Sequence, residues 1–127
     1  MTDPAAVLRR HDTVPAIPVE GARGASIQVL LGPDEGAPHF ITRVFTLEPG
    51  GYIPSHRHPT IEHEQLMLEG EMTLGLDRDT VTLGPGDALL IPAGVSHWYA
   101  NRGEQTVRFV CVIPRTDGYE TEWLESL

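Results

Sequence analysis

The chain is poor in several things, and each shortage narrows what it can be. It has one cysteine, Cys111, so no internal disulfide can form, which fits a reducing, cytoplasmic setting. Basic side chains are scarce: 9 Lys+Arg stand against 18 Asp+Glu, for a net charge of −9. A surface of that sign repels nucleic acid and anionic membranes, both of which call for clustered cations. Long apolar runs are missing too. The opening residues, MTDPAAVLRRHD, hold no apolar h-region and no window approaches a membrane span, so neither leader nor anchor is expected. Helical periodicity is confined to the tail, YETEWLESL. At 127 residues, without internal repeats or a low-complexity linker, the chain is expected to be one domain with one modest core.

What is present reads as β structure. Gly (13) and Pro (11) are spread along the chain, with short runs of Val, Ile, Leu, Thr and Phe between them. Strands are expected near 26–31, 39–47, 52–57, 63–69, 71–77, 80–83, 87–91, 96–100 and 105–113. LEPGGY and LGPGDA read as Pro-Gly turns, and LDRDT as a tight hairpin. Many short strands with turn signals between them point to an all-β sandwich or barrel. The expected layout is an extended arm over 1–25, a barrel over 26–115 and a packed tail over 116–127.

The densest chemistry lies in HRHPTIEHEQLMLEGE, residues 56–71. Side chains two apart on a strand share a face, so His56 and His58 project together. Two imidazoles so placed can reach one ion at about 2.1 Å from each nitrogen. Pro59 then ends the strand.

A wider pattern surrounds that pair. From Gly50 the spacing runs through His56, His58 and position 63 to Gly70, and it resembles the first motif of the cupin superfamily, G-x5-H-x-H-x3,4-E-x6-G. GDALLIPAGVSHWYAN, residues 86–101, resembles the second, G-x5-P-x-G-x2-H-x3-N, at every defined position. The resemblance implies a double-stranded β-helix, or jelly-roll, barrel with a metal near one end. It departs from the family at one ligand. Where the motif has glutamate, counting back from Gly70 reaches His63, and Glu62 competes because a three-residue gap after His58 is also allowed. The strand EQLMLEG favours His63, since a slip by one residue would turn every side chain to the other face. Histidine at this place resembles the four-histidine, manganese-binding subgroup of small cupins. His97 supplies the fourth implied ligand, brought across by barrel closure. The implied cofactor is one divalent transition metal, with manganese or iron favoured and nickel, copper or zinc also suited to imidazole.

Neighbouring residues have two readings each. Glu62, Glu64 or backbone carbonyls could accept the ligands' second N–H, or the glutamates could form a solvated rim. Cys111 shares a strand face with Phe109 and Ile113; it is either an inert core thiol or, with Phe109, part of the pocket wall. Arg43, inside ITRVF, reads first as solvent-facing and second as a cation for an anionic substrate. Gln65 and Met67 share a face with His63, where Gln65 could offer the pocket a hydrogen bond and Met67 a soft sulfur. His11 and His39 read as surface residues, and Tyr119 and Trp123 as tail packing on the barrel or a sister subunit.

The leading functional expectation is a metal-dependent oxidoreductase of dioxygenase type acting on a small organic substrate. The alternatives are a small-molecule-binding or sensory protein and a metal-dependent isomerase using a base such as Glu62. A homodimer is expected, with the arm lying along a sheet edge or crossing to the partner.

Overall fold

The computed structural model describes residues 5–127, so the first four residues of the expected arm lie outside it. A 3-10 turn at His11–Thr13 precedes β1 (Ile17–Pro18) and β2 (Arg23–Leu31). A second 3-10 turn, Pro33–Glu35, leads into β3 (Phe40–Arg57). Then follow β4 (His63–Glu69), β5 (Met72–Leu76), β6 (Asp79–Leu83), β7 (Ala88–Ile91), β8 (His97–Ala100), β9 (Val107–Pro114) and β10 (Glu122–Trp123). They form one 10-stranded sheet whose main path runs β6-β5-β8-β3-β9-β4-β7. Every pairing is antiparallel, and the sheet curls on itself as a jelly roll.

β3 is the axis of this arrangement, and it differs from the sequence expectation. LEPGGY is not a turn between two strands but a bend inside one. The first half pairs Phe40–Leu47 with β9, and the second pairs Tyr52, Ile53 and His56 with β8. Backbone bonds from Gly50 N–H to the Asn101 carbonyl and from Asn101 N–H to the Gly51 carbonyl carry the chain through the bend. A side chain at Gly51 would strike the Gly24 and Glu48 carbonyls at 2.7 and 2.8 Å, so only glycine lets the strand pass that close.

The tail departs as well. Its helical pattern is not realised; Glu122 and Trp123 pair instead with Arg57 and His56 on the open edge of β3. A helix of so few residues is marginal in water, whereas a strand edge offers ready backbone partners. At the other end, Ile17 and Pro18 of the arm pair with Ile27 and Ser26, along the edge of β2.

The LDRDT hairpin closes through Asp77 and Arg78, with Leu76 opposite Asp79. Asp77 has φ of 51°, the left-handed conformation that a tight hairpin needs and that Asp tolerates. Inward residues alternate along β9, where Val107, Phe109, Cys111 and Ile113 are buried. They join Leu47, Ile53, Ile61, Met67, Met72, Leu74 and Tyr99 in a single core. Phe109 stacks on Phe45 and on Tyr99, with ring centroids 5.2 Å away in both cases.

Candidate metal centre

His56 lies at the end of β3, His58 directly follows that strand, and His97 opens β8. His56 and His97 are register partners across the two strands, with ring centroids 4.3 Å apart. The ligand atoms of His56, His58 and His97 all lie within 4.8 Å of one another, and all three residues are buried. Barrel closure thus brings together residues that are far apart in sequence.

Hydrogen bonds decide which nitrogen is free. Nδ1–H of His56 donates to the Pro54 carbonyl at 2.7 Å, that of His97 to Val95 at 2.9 Å and that of His58 to Glu120 at 3.0 Å. With Nδ1 protonated, each Nε2 keeps its lone pair for the cavity. The expected alternatives for this role, Glu62 and Glu64, are both exposed; carbonyls take it instead.

His63 is buried at the start of β4, and its Nε2 has no hydrogen-bond partner. Its ring stacks on His58 at 4.4 Å and stands 5.9 Å from His97. Glu62, the competing position, faces solvent and does not line the cavity. Burial holds the imidazole pKa values down, to about 4 for His58, about 3 for His97 and about 2 for His63, and it lowers His56 as well. The positive potential of His58 and Arg43 adds to the depression at His63. His56, His58 and His97, kept neutral by burial, are a donor set that fits a divalent transition metal, and His63, with an orphaned buried Nε2 of its own, borders that cluster without belonging to it.

The centre opens into a cavity of about 540 Å³. Arg43, Gln65 and Cys111 line it, while Met67 and Phe109 sit behind them in the core and do not. Arg43 is a correction to its first reading: it is only 6% exposed and faces inward. The reason is register. Arg43 and Gln65 are both paired with Cys111, which places the three in one inward row across β3, β9 and β4. Arg43 Nη2 donates to Cys111 Sγ at 3.1 Å, and Gln65 Nε2 to the Tyr99 hydroxyl at 2.6 Å.

Sequence reasoning missed several contributors. Tyr119, Thr121 and Trp123 of the tail cover the cavity, together with Glu20 and Gly21 of the arm. The Tyr119 hydroxyl stands 3.5 Å from His58 Nε2. Asp77 accepts from both N–H and Oγ of Ser96, at 3.0 and 2.8 Å, and so braces the residue before His97. The tail's alternation, with Tyr119, Thr121 and Trp123 two apart, was the available signal. Asp77 had none beyond its hairpin.

Comparison with known proteins agrees with this architecture. The Cupin domain model of the Cupin_2 family matches residues 43–113. A germin-like protein, subfamily T member 3, of Arabidopsis thaliana is 33% identical over 72 residues, 53% of this chain and 32% of that protein. The polyketide synthase protein CurC of Streptomyces cyaneus is 32% identical over 89 residues, 69% of this chain and 58% of that one. The chain therefore spans between a third and three fifths of these relatives. Among solved structures, the polyketide cyclase RemF of Streptomyces resistomycificus superposes with a TM-score of 0.88 at 31% identity, over 97% of this chain and 88% of that one. With the matched domain, the jelly roll and the histidine cluster in agreement, the chain belongs to the cupin family, its described residues forming one barrel.

Proposed function

We propose that this cupin is a metal-dependent enzyme of the cyclase type, closing a ring in an oxygen-rich, polyketide-like substrate. The observation that carries the reading is the convergence of three carbonyl-locked imidazoles in a cavity of about 540 Å³, within a chain that resembles a polyketide cyclase over nearly its full length. A divalent ion bound there supplies a Lewis acid that polarises a carbonyl oxygen. His56, His58 and His97 would hold it, with His63 as the fourth ligand. Burial keeps the His63 imidazole neutral and its Nε2 has no hydrogen-bond partner, which favours the ligand role for His63.

The remaining residues position the substrate. Phe45, Ile27 and Trp123 present apolar walls, and the tail covers the cavity against water. Tyr119, whose hydroxyl stands 3.5 Å from His58 Nε2 at the cavity, would donate a hydrogen bond to a substrate oxygen. The test is conversion of a linear poly-β-ketone by metal-loaded protein under nitrogen. Ring closure at an undiminished rate without dioxygen supports the cyclase; no product under nitrogen or air removes it.

A dioxygenase is the second reading, favoured by the absence of a carboxylate among the three clustered donors, which leaves the ion's full charge for other partners. Cys111 tests it. A buried thiol on the cavity wall would record oxidising equivalents released without substrate. Peroxide treatment of iron- or manganese-loaded protein should then add mass to the Cys111 peptide, far more than in metal-free protein. Equal oxidation in both would remove that reading. A homodimer is proposed as well, supported by exposed Ile17, Leu66, Leu68 and Leu90; a monomer by light scattering at micromolar concentration would end it.

A further inference from the structure

Arg43 is a buried cation with an incomplete set of partners. It is 6% exposed, and its Nε lacks any hydrogen-bond partner. Its guanidinium lies 5.1 Å from the Phe45 ring centroid and 5.8 Å from that of Tyr119. Its side chain donates to Cys111 Sγ at 3.1 Å and has the Tyr119 hydroxyl as its other polar neighbour, and neither is a carboxylate. A thiol is a weak acceptor and occupies one of five guanidinium N–H groups. Among the described residues, the carboxylates that pair with arginine serve Arg9, Arg57 and Arg108, and none serves Arg43.

A charge in that position is costly unless something answers it. Arg43 is also not alone. Gln65, in the same inward row, has its amide oxygen buried without a partner. Both residues line the cavity that holds the histidine cluster. The one carboxylate among the lining residues, Glu20, is exposed at the rim. The floor is therefore cationic although the chain as a whole carries −9.

We infer that the cavity takes its substrate as an organic anion, with Arg43 receiving the anionic oxygen in the same cavity that the histidines line. This assigns Arg43 a binding role and narrows the substrate class, and it rests on the reading that this cavity is the substrate site. The fork of a guanidinium matches a carboxylate, or the paired oxygens of a conjugated enolate. Ile27, Phe45, Tyr119 and Trp123 suit a flat, unsaturated body. Tyr119 links the two sides, its ring 5.8 Å from the guanidinium and 5.0 Å from the His58 ring, so an aromatic ligand stacked on it would touch both.

The experiment is calorimetric titration with 1-hydroxy-2-naphthoate and with its neutral methyl ester, on metal-loaded and on chelator-treated protein. Wild-type protein should bind the acid at least about tenfold tighter than the ester in both forms, the usual scale of a charge-assisted bond. Arg43→Met should bring the two affinities within about twofold, and Arg43→Lys should keep part of the preference. Equal affinities in wild type, no detectable binding of the acid at millimolar concentration, or a preference surviving Arg43→Met would overturn the inference. So would a preference that disappears on chelation, because the metal and not Arg43 would then hold the acid. If Arg43→Met does not fold, the wild-type acid-to-ester ratio after chelation decides alone. A purified protein without metal but with the preference intact would remove the metal-centred reading and leave the anion site standing.

Discussion

Trp123 of the tail and His56 of the metal centre are register partners on adjacent strands, with ring centroids 5.0 Å apart. The pairing makes the last strand part of the site. Leu124 N–H extends it by donating to the Ser55 carbonyl, and the Trp123 ring packs over Gly21, where an added Cβ would meet it at 3.1 Å. Arm and tail thus meet above the histidines.

Metal loading should follow the histidine cluster. Purified protein is expected to carry one divalent ion per chain by elemental analysis, and His56→Ala or His97→Ala should abolish it. His63→Ala should lower occupancy, while Glu62→Ala, at an exposed position, should leave it unchanged. Full occupancy in His63→Ala together with loss in Glu62→Ala would show that the β4 register assigned to the site is wrong.

Asp77 should act on the centre without touching it. Asp77→Gly keeps the left-handed backbone but removes the acceptor for both Ser96 donors, next to His97. Metal affinity is expected to fall about tenfold, the lower range seen when an outer hydrogen bond to a ligand's support is lost. Asp77→Asn, which retains a side-chain carbonyl, should recover most of it. Competition with a metal-sensitive dye reads the effect, and an unchanged affinity in Asp77→Gly would refute it.

Tail docking should depend on pH at both extremes. The Tyr52 hydroxyl donates to Glu125 at 2.6 Å, and Ser55 N–H to the same oxygen at 3.2 Å. These bonds hold the Glu125 carboxyl below its ordinary value, so its contribution is present at neutral pH and is lost as pH falls through the folded value. Burial, and then the bond to Glu125, raise Tyr52 from 10.0 to about 12; its contribution holds below 10 and is lost as pH climbs to about 12. Acrylamide quenching of Trp123, in a Trp98→Phe background, should rise at both ends. Glu125→Gln should remove the acid limb; an acid limb of the same size in that variant would place its origin elsewhere.

Gly75 should resist any side chain. It is the register partner of Trp98 on β8, and an added Cβ would overlap the indole itself. The ring cannot simply retreat, since it lies between Tyr52, at 6.2 Å, and the Arg102 guanidinium, at 5.5 Å. Gly75→Ala is expected to destabilise by about 1–3 kcal/mol, as overpacking does. Urea denaturation followed by fluorescence measures this, and a loss below about 0.5 kcal/mol would mean that the indole moves freely.

Much of this protein was legible in its sequence because period and spacing are local properties. Alternation grouped His63, Gln65 and Met67 on one face of β4 and Glu62, Glu64 and Leu66 on the other, the spacing to Gly70 favoured the first as inward, and in the structure the first three are buried and the others exposed. Two spaced motifs were enough to expect the barrel and a histidine-lined end. What they could not show is how separate strands align. Arg43 looked like a surface residue because its own strand says nothing of Cys111 and Gln65, which only cross-strand register sets beside it. The tail looked helical because its residues suit a helix, and tertiary structure overrode that preference by offering the open edge of β3. Propensity contributes tenths of a kcal/mol per residue, and a new strand pairing with buried neighbours contributes more. The sequence by itself determined the family, the alternation of faces along single strands and the spacing that singles out His56, His58 and His97; strand register and edge pairing decided the cationic floor and the cover of the cavity, because both depend on contacts between residues remote in the chain.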